Sequence, residues 1–164
     1  MHVVTLEFLQ LLLLIIIANG SPIVIRQLLD GAFDLAVDFG QKLPDNRRVF
    51  GASKTWRGIV TACVVTSLAA WSFGYPPETG LLIALYAMLG DMTSSFTKRR
   101  LSMQPSSRAP FLDQVPESLL PAFMLMETFN LDFIAVLLLV LTFIILEIGL
   151  SHILYKWGVR KRPY

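Results

Sequence analysis

The chain has 164 residues, of which 54% are hydrophobic and 16% are charged, and its formal net charge is +2. Soluble domains carry about 25% charged residues, so this composition excludes a soluble or disordered chain, and the single cysteine excludes a disulfide framework. The small net charge gives no support for nucleic-acid binding. We therefore expect an all-α integral membrane protein whose residues 1–164 form one domain.

Five apolar segments predict five transmembrane helices, because a helix needs about 20 residues to cross a bilayer. They lie at residues 4–18, 59–73, 80–91, 118–129 and 131–155. No basic residue precedes the first segment, so we expect a retained helix rather than a cleaved signal peptide. The third and fourth segments are short, so we expect their helices to continue into polar sequence that lines an enclosed cavity.

Basic residues are segregated along the chain. All 14 lysines and arginines fall in a loop of about residues 20–57, in a loop of about residues 92–114, or after the last span. Because basic residues collect on the cytoplasmic side, the N-terminus is predicted outside and the C-terminus inside, in a multi-pass protein of the cell membrane. Both loops also hold acids. This mixture is typical of a site for a divalent cation and phosphates, which we expect in a cavity at the cytoplasmic side.

The first loop ends in a segment with two glycines, residues 50–58, directly before the second span. Gly51 and Gly58 allow a ligand to approach the backbone closely, and Lys54 and Thr55 suit phosphate binding. The spacing is not that of a Walker A motif. A basic helix cap with Trp56 as an interfacial anchor explains the segment equally well.

A polar stripe follows the third apolar segment. On a helix, Asp91, Ser94, Ser95 and Lys98 lie at i, i+3, i+4 and i+7 and therefore share one face. An ionisable residue at the membrane boundary is a candidate functional residue. We therefore favour a functional role for the stripe over a purely structural Asp91–Lys98 pair.

Two further acids, Asp113 and Glu117, precede the fourth span. Glu117 suits the first turn of a helix that begins near Pro116. Carboxylates at the ends of neighbouring helices can also share Mg²⁺, and this segment alone does not separate the two roles. Glu147 lies at the depth of the fifth span, where we expect it to pair across helices or to face the cavity.

Three segments together resemble the CDP-archaeol synthase family, the small five-helix relatives of the phosphatidate cytidylyltransferases. They are Asp38-Phe39-Gly40 with Arg47-Arg48-Val49-Phe50-Gly51-x-x-Lys54-Thr55-Trp56-Arg57-Gly58, then Gly90-Asp91-x-x-x-Ser95-Phe96-x-Lys98-Arg99-Arg100-Leu101, then Pro110-x-x-Asp113-Gln114. The resemblance implies a reaction in which a membrane lipid phosphate attacks the α-phosphate of CTP, with Mg²⁺ as cofactor. In the archaeal family that lipid is 2,3-di-O-geranylgeranylglyceryl phosphate, and the products are a CDP-lipid for phospholipid biosynthesis and pyrophosphate.

The resemblance also implies roles for individual residues. The catalytic residues would be Asp91, Lys98, Arg99 and Asp113. Asp91 and Asp113 would be metal ligands, and Glu117 would be a third, because Pro116 stands where the wider family has its next acid. The substrate-binding residues would be Asp38, Arg47, Gly51, Lys54, Thr55, Arg57, Ser95, Arg100 and Gln114.

Two other functions fit the same residues. The lipid substrate could be phosphatidate, because apolar helices accept fatty acyl chains as well as isoprenoid chains. A lipid-binding or transport protein could instead use the basic loops to capture headgroups without catalysis. The sequence also leaves open whether the chain forms a homo-oligomer.

Overall fold

A computed structural model describes residues 4–30, 32–103, 109 and 111–156, with side chains described as far as Ser151. The described residues form five helices, as predicted. They are α1 (Leu6–Leu28), α2 (Trp56–Ser72), α3 (Pro77–Arg100), α4 (Gln114–Met124) and α5 (Phe133–Lys156). In the described ranges, extended pairing is limited to two isolated bridges in the first loop, between Ala36 and Thr55 and between Lys42 and Arg48.

Helix α1 is longer than predicted. It begins after Thr5, whose Oγ1 accepts a hydrogen bond from the Phe8 N–H at 3.2 Å, and it continues ten residues past the predicted end at residue 18. Asn19 does not break the helix, because its side-chain amide donates to the Ile15 carbonyl. The first loop therefore starts at residue 29 rather than near residue 20.

Helix α3 confirms that the third segment continues into polar sequence. Its 24 residues are about 36 Å long and run through the whole predicted stripe to Arg100. Ser94, Ser95 and Lys98 are all buried, so the stripe faces the interior of the protein. The second loop consequently begins at residue 101 rather than at residue 92.

The bounds predicted for the fourth span, residues 118–129, are wrong. Helix α4 begins earlier, at Gln114, and ends at Met124, with Pro121 inside it and a series of turns over residues 125–130. At 11 residues it is about 16 Å long, roughly half the thickness of a bilayer core. Within the described residues, two helices are long and apolar enough to cross a membrane, namely α1 and the Phe133–Ser151 part of α5.

The two ends of the bundle differ in chemistry. At one end Tyr75 donates a hydrogen bond to Gln10 at 2.9 Å and packs against Phe129, with ring centroids 4.6 Å apart. An apolar core to which all five helices contribute lies next to this contact. At the other end the two long loops meet the ends of α1 to α4. The predicted site residues therefore lie toward one end of the bundle. The cytoplasmic orientation of this end stays a prediction.

Candidate functional site

Two lysine–aspartate pairs join the loops to α3. Lys54, the second residue before α2, forms an ion pair with Asp91 of α3. Lys98, two turns further along α3, pairs with Asp113 at the start of α4, with 2.7 Å between Nζ and Oδ1. All four side chains are one quarter exposed or less, so the pairs lie in a partly shielded, polar pocket.

Glu117 lies near these pairs and is more deeply buried than they are. It is buried in the first turn of α4, and it interacts electrostatically with Asp91, Asp113 and Lys54. It also interacts with Glu147 of α5, whose Oε2 atom is buried. The structure thus places five predicted site residues in one cluster, Lys54, Asp91, Lys98, Asp113 and Glu117, and adds Glu147 to it. The sequence signal for Glu147 was a carboxyl group inside an apolar span.

The donor atoms of this cluster are of the kind that Mg²⁺ prefers. Asp91 supplies carboxylate oxygens from within α3, and Asp113 and Glu117 supply them from the start of the neighbouring α4. In the described part of the chain, however, no three acidic, histidine or cysteine side chains are grouped as a metal site. Carboxylates are the donor type that divalent cations prefer, and in this structure Asp91 and Asp113 are paired with Lys54 and Lys98.

Asp38 organises the first loop. Its side chain is fully buried and accepts hydrogen bonds from Arg48 and from the backbone N–H groups of Gly40, Phe50 and Gly51. Burial alone would raise the pKa of the Asp38 carboxyl, but the Arg48 guanidinium and the three N–H groups outweigh it and hold the pKa well below its ordinary value. Asp38 therefore shapes the segment that carries Lys54, and it does not point a free carboxylate at a substrate.

Two arginines attach the same loop to the end of α3. The Arg47 guanidinium donates to the carbonyls of Arg99 and Arg100 at 3.3 and 3.0 Å. The Arg100 guanidinium pairs with Asp45 at 2.9 Å, donates to the Arg48 carbonyl at 2.8 Å and lies 5.2 Å from the centre of the Phe96 ring. Both arginines were predicted to bind substrate, and the structure uses both to hold the loop on the helix.

Two other predicted substrate-binding residues hold the start of α2. Thr55 caps that helix, with its Oγ1 accepting the Gly58 N–H at 3.2 Å. The Arg57 guanidinium pairs with Asp34 and donates to the Ala32 carbonyl, which ties the beginning of the loop to the same helix. The helix-cap interpretation of this segment is therefore correct for Thr55, whereas Lys54 reaches the acidic cluster.

The remaining predicted residues lie around the pocket. Arg99 is buried beside Gly51, where a Cβ would lie 3.9 Å from the Arg99 Cδ atom, and Gly51 has φ +102°, a value that favours glycine. Ser95 is buried on α3. The Gln114 side-chain oxygen accepts the Phe111 N–H at 2.9 Å and so fixes the chain just before α4.

This arrangement has the parts that phosphate chemistry at a membrane requires. Lysines can neutralise phosphate oxygens and carboxylates can hold a cation, and both meet at the end of a helical bundle with apolar spans. The fold and the pocket therefore define an α-helical membrane protein with a polar site at one end of its helices.

The comparisons identify the family within that class. The sequence profile of the family described as CarS-like, CDP-archaeol synthase, matches residues 1–75 and 76–164. A CDP-archaeol synthase of Pyrococcus furiosus is 39% identical over 107 residues, which are 59% of this chain and 60% of that protein. A CDP-archaeol synthase of Sulfolobus acidocaldarius is 30% identical over 156 residues, 91% of each chain.

A solved structure is similar over most of its length. It comes from work on an intramembrane enzyme for archaeal membrane lipids biosynthesis, and it matches with a TM-score of 0.70 and 29% identity over 87% of this chain and 90% of that one. The chain belongs to the CDP-archaeol synthase family. It is a membrane protein of a family of enzymes, which confirms the resemblance seen in the motifs.

Proposed function

We propose that the chain transfers CMP from CTP to a membrane lipid phosphate of the 2,3-di-O-geranylgeranylglyceryl type. The products are a CDP-archaeol-type lipid for phospholipid biosynthesis and pyrophosphate, and the cofactor is Mg²⁺. The observation that carries this proposal is the pair of lysine–aspartate contacts where the first loop, α3 and α4 meet. It is supported by the relatives named CDP-archaeol synthase.

The chemistry makes few demands on a general base. An oxygen of the lipid phosphate forms a bond to the α-phosphorus of CTP, and the bond from that phosphorus to the α,β-bridging oxygen breaks. Pyrophosphate leaves with the electron pair. Because the attacking oxygen is already an anion, no proton has to be removed first, and the protein must chiefly align two phosphates and offset their repulsion.

Lys54 and Lys98 are the groups that offset this charge. Each is paired with an aspartate, so both basic charges are already present at the site, next to a counter-charge, before a substrate arrives. When phosphates enter, Lys54 turns to the nucleotide and Lys98, with Arg99 beside it, turns to the lipid phosphate or the leaving pyrophosphate. The released carboxylates of Asp91 and Asp113, with Glu117, would hold Mg²⁺, which neutralises phosphate charge.

The membrane topology belongs to the same proposal. The polar loops, both lysine–aspartate pairs and the arginines on α3 all lie at one end of the bundle, as expected if that end faces the cytoplasm. CTP then reaches the pocket from the cytoplasm, and the lipid reaches it from the bilayer of the cell membrane. The proposal therefore includes a multi-pass arrangement with the N-terminus outside.

Pyrophosphate release by purified protein tests the function. The protein is given CTP and Mg²⁺ with either an unsaturated isoprenoid glycerol phosphate or phosphatidate. We expect release with the isoprenoid lipid and at least a hundredfold loss in Asp91→Asn. The matched control is Glu78→Gln, an exposed acid in the first turn of the same helix at the opposite end. It should keep full activity.

Other results of the same experiment would support one of the alternative functions or overturn the proposal. Release that needs phosphatidate instead would make the chain a CDP-diacylglycerol synthase. Lipid binding that is indifferent to CTP and unchanged by Asp91→Asn would support the non-catalytic lipid-binding or transport function. Failure to bind CTP at all would overturn the proposal.

A further inference from the structure

The start of the first loop exposes a set of large apolar side chains that no other part of the described structure covers. We call Phe33, Leu35, Phe39 and Trp56 the loop patch; their exposed fractions are 81%, 57%, 64% and 43%. The Phe39 and Trp56 rings are neighbours, with centroids 6.5 Å apart. Exposed apolar groups that lie together mark a contact surface.

The loop patch is held rigidly on the start of α2. The Leu35 carbonyl accepts the Trp56 N–H at 3.0 Å, and the Val37 N–H donates to the Lys54 carbonyl at 2.8 Å. The pair of Arg57 with Asp34 adds a side-chain tie next to these bonds. The segment therefore cannot fold its apolar side chains inward without breaking several hydrogen bonds.

Two residues of the loop patch have a strained backbone conformation although their side chains are exposed. Phe33 and Phe39 have φ of 60° and 47°, in the left-handed region that glycine and asparagine adopt more easily than aromatic residues. Neither phenylalanine is buried by the described residues, because both are more than 60% exposed. Burial within the described structure therefore does not offset the backbone strain at these two residues.

We propose that the loop patch is immersed in the interfacial layer of the bilayer and forms the wall along which the lipid phosphate reaches the site of the two lysine–aspartate pairs. The loop follows directly from α1, a helix able to cross the membrane, whose last residue Leu28 is 75% exposed. Aromatic residues collect in the interfacial layer. Val37, which lies between Leu35 and Phe39 in the sequence, donates its N–H to the Lys54 carbonyl, so the patch lies next to the segment that carries Lys54. The part of this proposal that concerns the route of the lipid phosphate rests on the proposed function.

Spin labels measure the immersion directly. A label is attached at Leu35→Cys or, as the control, at Lys42→Cys, an exposed position beyond Gly40 in the same loop. Both are made in a Cys63→Ala background, and the protein is placed in vesicles of phosphatidylcholine with phosphatidylglycerol. We expect the label at 35 to be accessible to dissolved oxygen and shielded from a water-soluble nickel chelate, and the label at 42 to show the reverse.

Two outcomes of this experiment would overturn the immersion. The first is a label at 35 that is as accessible to the nickel chelate as the label at 42. The second is strong dipolar broadening between labels on different chains, which would assign the loop patch to contact with a second copy. Neither measurement requires turnover, so the result is independent of whether the proposed function is correct.

Kinetics test the route of the lipid. The double variant Phe33→Asn, Phe39→Asn removes the two apolar rings. Asparagine tolerates the left-handed backbone at these positions, so the loop should keep its conformation. We expect the KM for the lipid phosphate in vesicles to rise about tenfold, with the KM for CTP unchanged. Leu43→Asn, an exposed apolar residue nearer the tip of the loop, is the matched control and should change neither value. A lipid KM that the double variant leaves unchanged would overturn the route.

Discussion

Gly90 of α3 contacts the backbone of Pro116 in α4. A Cβ atom at Gly90 would lie 2.2 Å from the Pro116 carbonyl oxygen and 2.6 Å from the Glu117 nitrogen, distances that real Cβ atoms essentially never show. The residues that follow them, Asp91 in α3 and Glu117 in α4, both belong to the cluster of acids and lysines at the candidate site. This one crossing therefore sets how far apart the acids of the two helices lie.

Gly90→Ala should separate the acids of the cluster. We expect weaker CTP binding and at least a tenfold loss of pyrophosphate release, because α4 must move away from α3 to admit the methyl group. Binding is measured by calorimetry in detergent, beside a thermal melt.

Gly80→Ala is the control for that substitution. A Cβ at Gly80 would lie 2.4 Å from the Thr66 carbonyl oxygen, an equally severe collision on the same helix but away from the acids. We expect both variants to lower the melting temperature and Gly90→Ala alone to affect CTP. Equal loss of CTP binding in both would mean that the Gly90 crossing has only a general structural role.

Lys54→Met should abolish most of the proposed activity. It removes the charge that would meet the nucleotide and leaves the Asp91 carboxylate without its lysine. We expect kcat to fall about 10²- to 10³-fold, as when one preorganised stabilising group is lost. Lys42→Met, an exposed lysine of the same loop, should keep wild-type kcat. Similar values for the two variants would remove Lys54 from the mechanism.

Asp38→Asn should change how stability depends on pH. The pKa of Asp38 is depressed in the folded chain, so its ionised form stabilises the fold above the pKa of an ordinary aspartate, about 4, and this contribution is lost as the pH falls below that value. We expect the variant to melt lower than the wild type at pH 7 and the difference between the two melting temperatures to narrow as the pH falls from about 4 to 3. A gap that is constant from pH 7 to pH 3 would contradict this assignment.

The attachment of the loop to α3 predicts a graded effect on stability. Arg100→Met loses the Asp45 pair and the hydrogen bond to the Arg48 carbonyl, whereas Asp45→Asn loses only the charge of a pair that is partly exposed. We expect the second change to cost about 0.2–1 kcal/mol and to shrink in high salt. Arg100→Met should cost more and be less sensitive to salt, as judged from thermal melts at low and high ionic strength. An Asp45→Asn variant that melts below Arg100→Met would reverse the assigned order.

The local sequence pattern was sufficient for part of this structure. The spacing of Asp91, Ser94, Ser95 and Lys98 defines one face of any helix, and α3 buries that face as predicted. The helix ends were less accurate. Residues 19–21 look like a helix end, but Asn19 bonds back to the preceding turn and α1 continues.

Contacts between distant residues could not be predicted from such patterns. Arg47 and Arg100 are 53 positions apart, and a basic residue in a loop serves a phosphate or a helix carbonyl equally well. The same holds for the partner of Lys54, because only the packing of α3 beside α2 brings Asp91 to it. The residue types near the pocket were therefore predictable, and the division between those that hold the loop and those that face the acids was not.

Under the proposed function, the Lys54–Asp91 pair would also link the binding of nucleotide to the binding of the cation. A nucleotide that draws Lys54 away leaves Asp91 negatively charged, and a cation that takes Asp91 leaves Lys54 without a counter-charge. Under that assignment, each ligand would bind better when the other is present. Because such coupling is reciprocal, the factor by which the cation strengthens nucleotide binding must equal the factor by which the nucleotide strengthens cation binding.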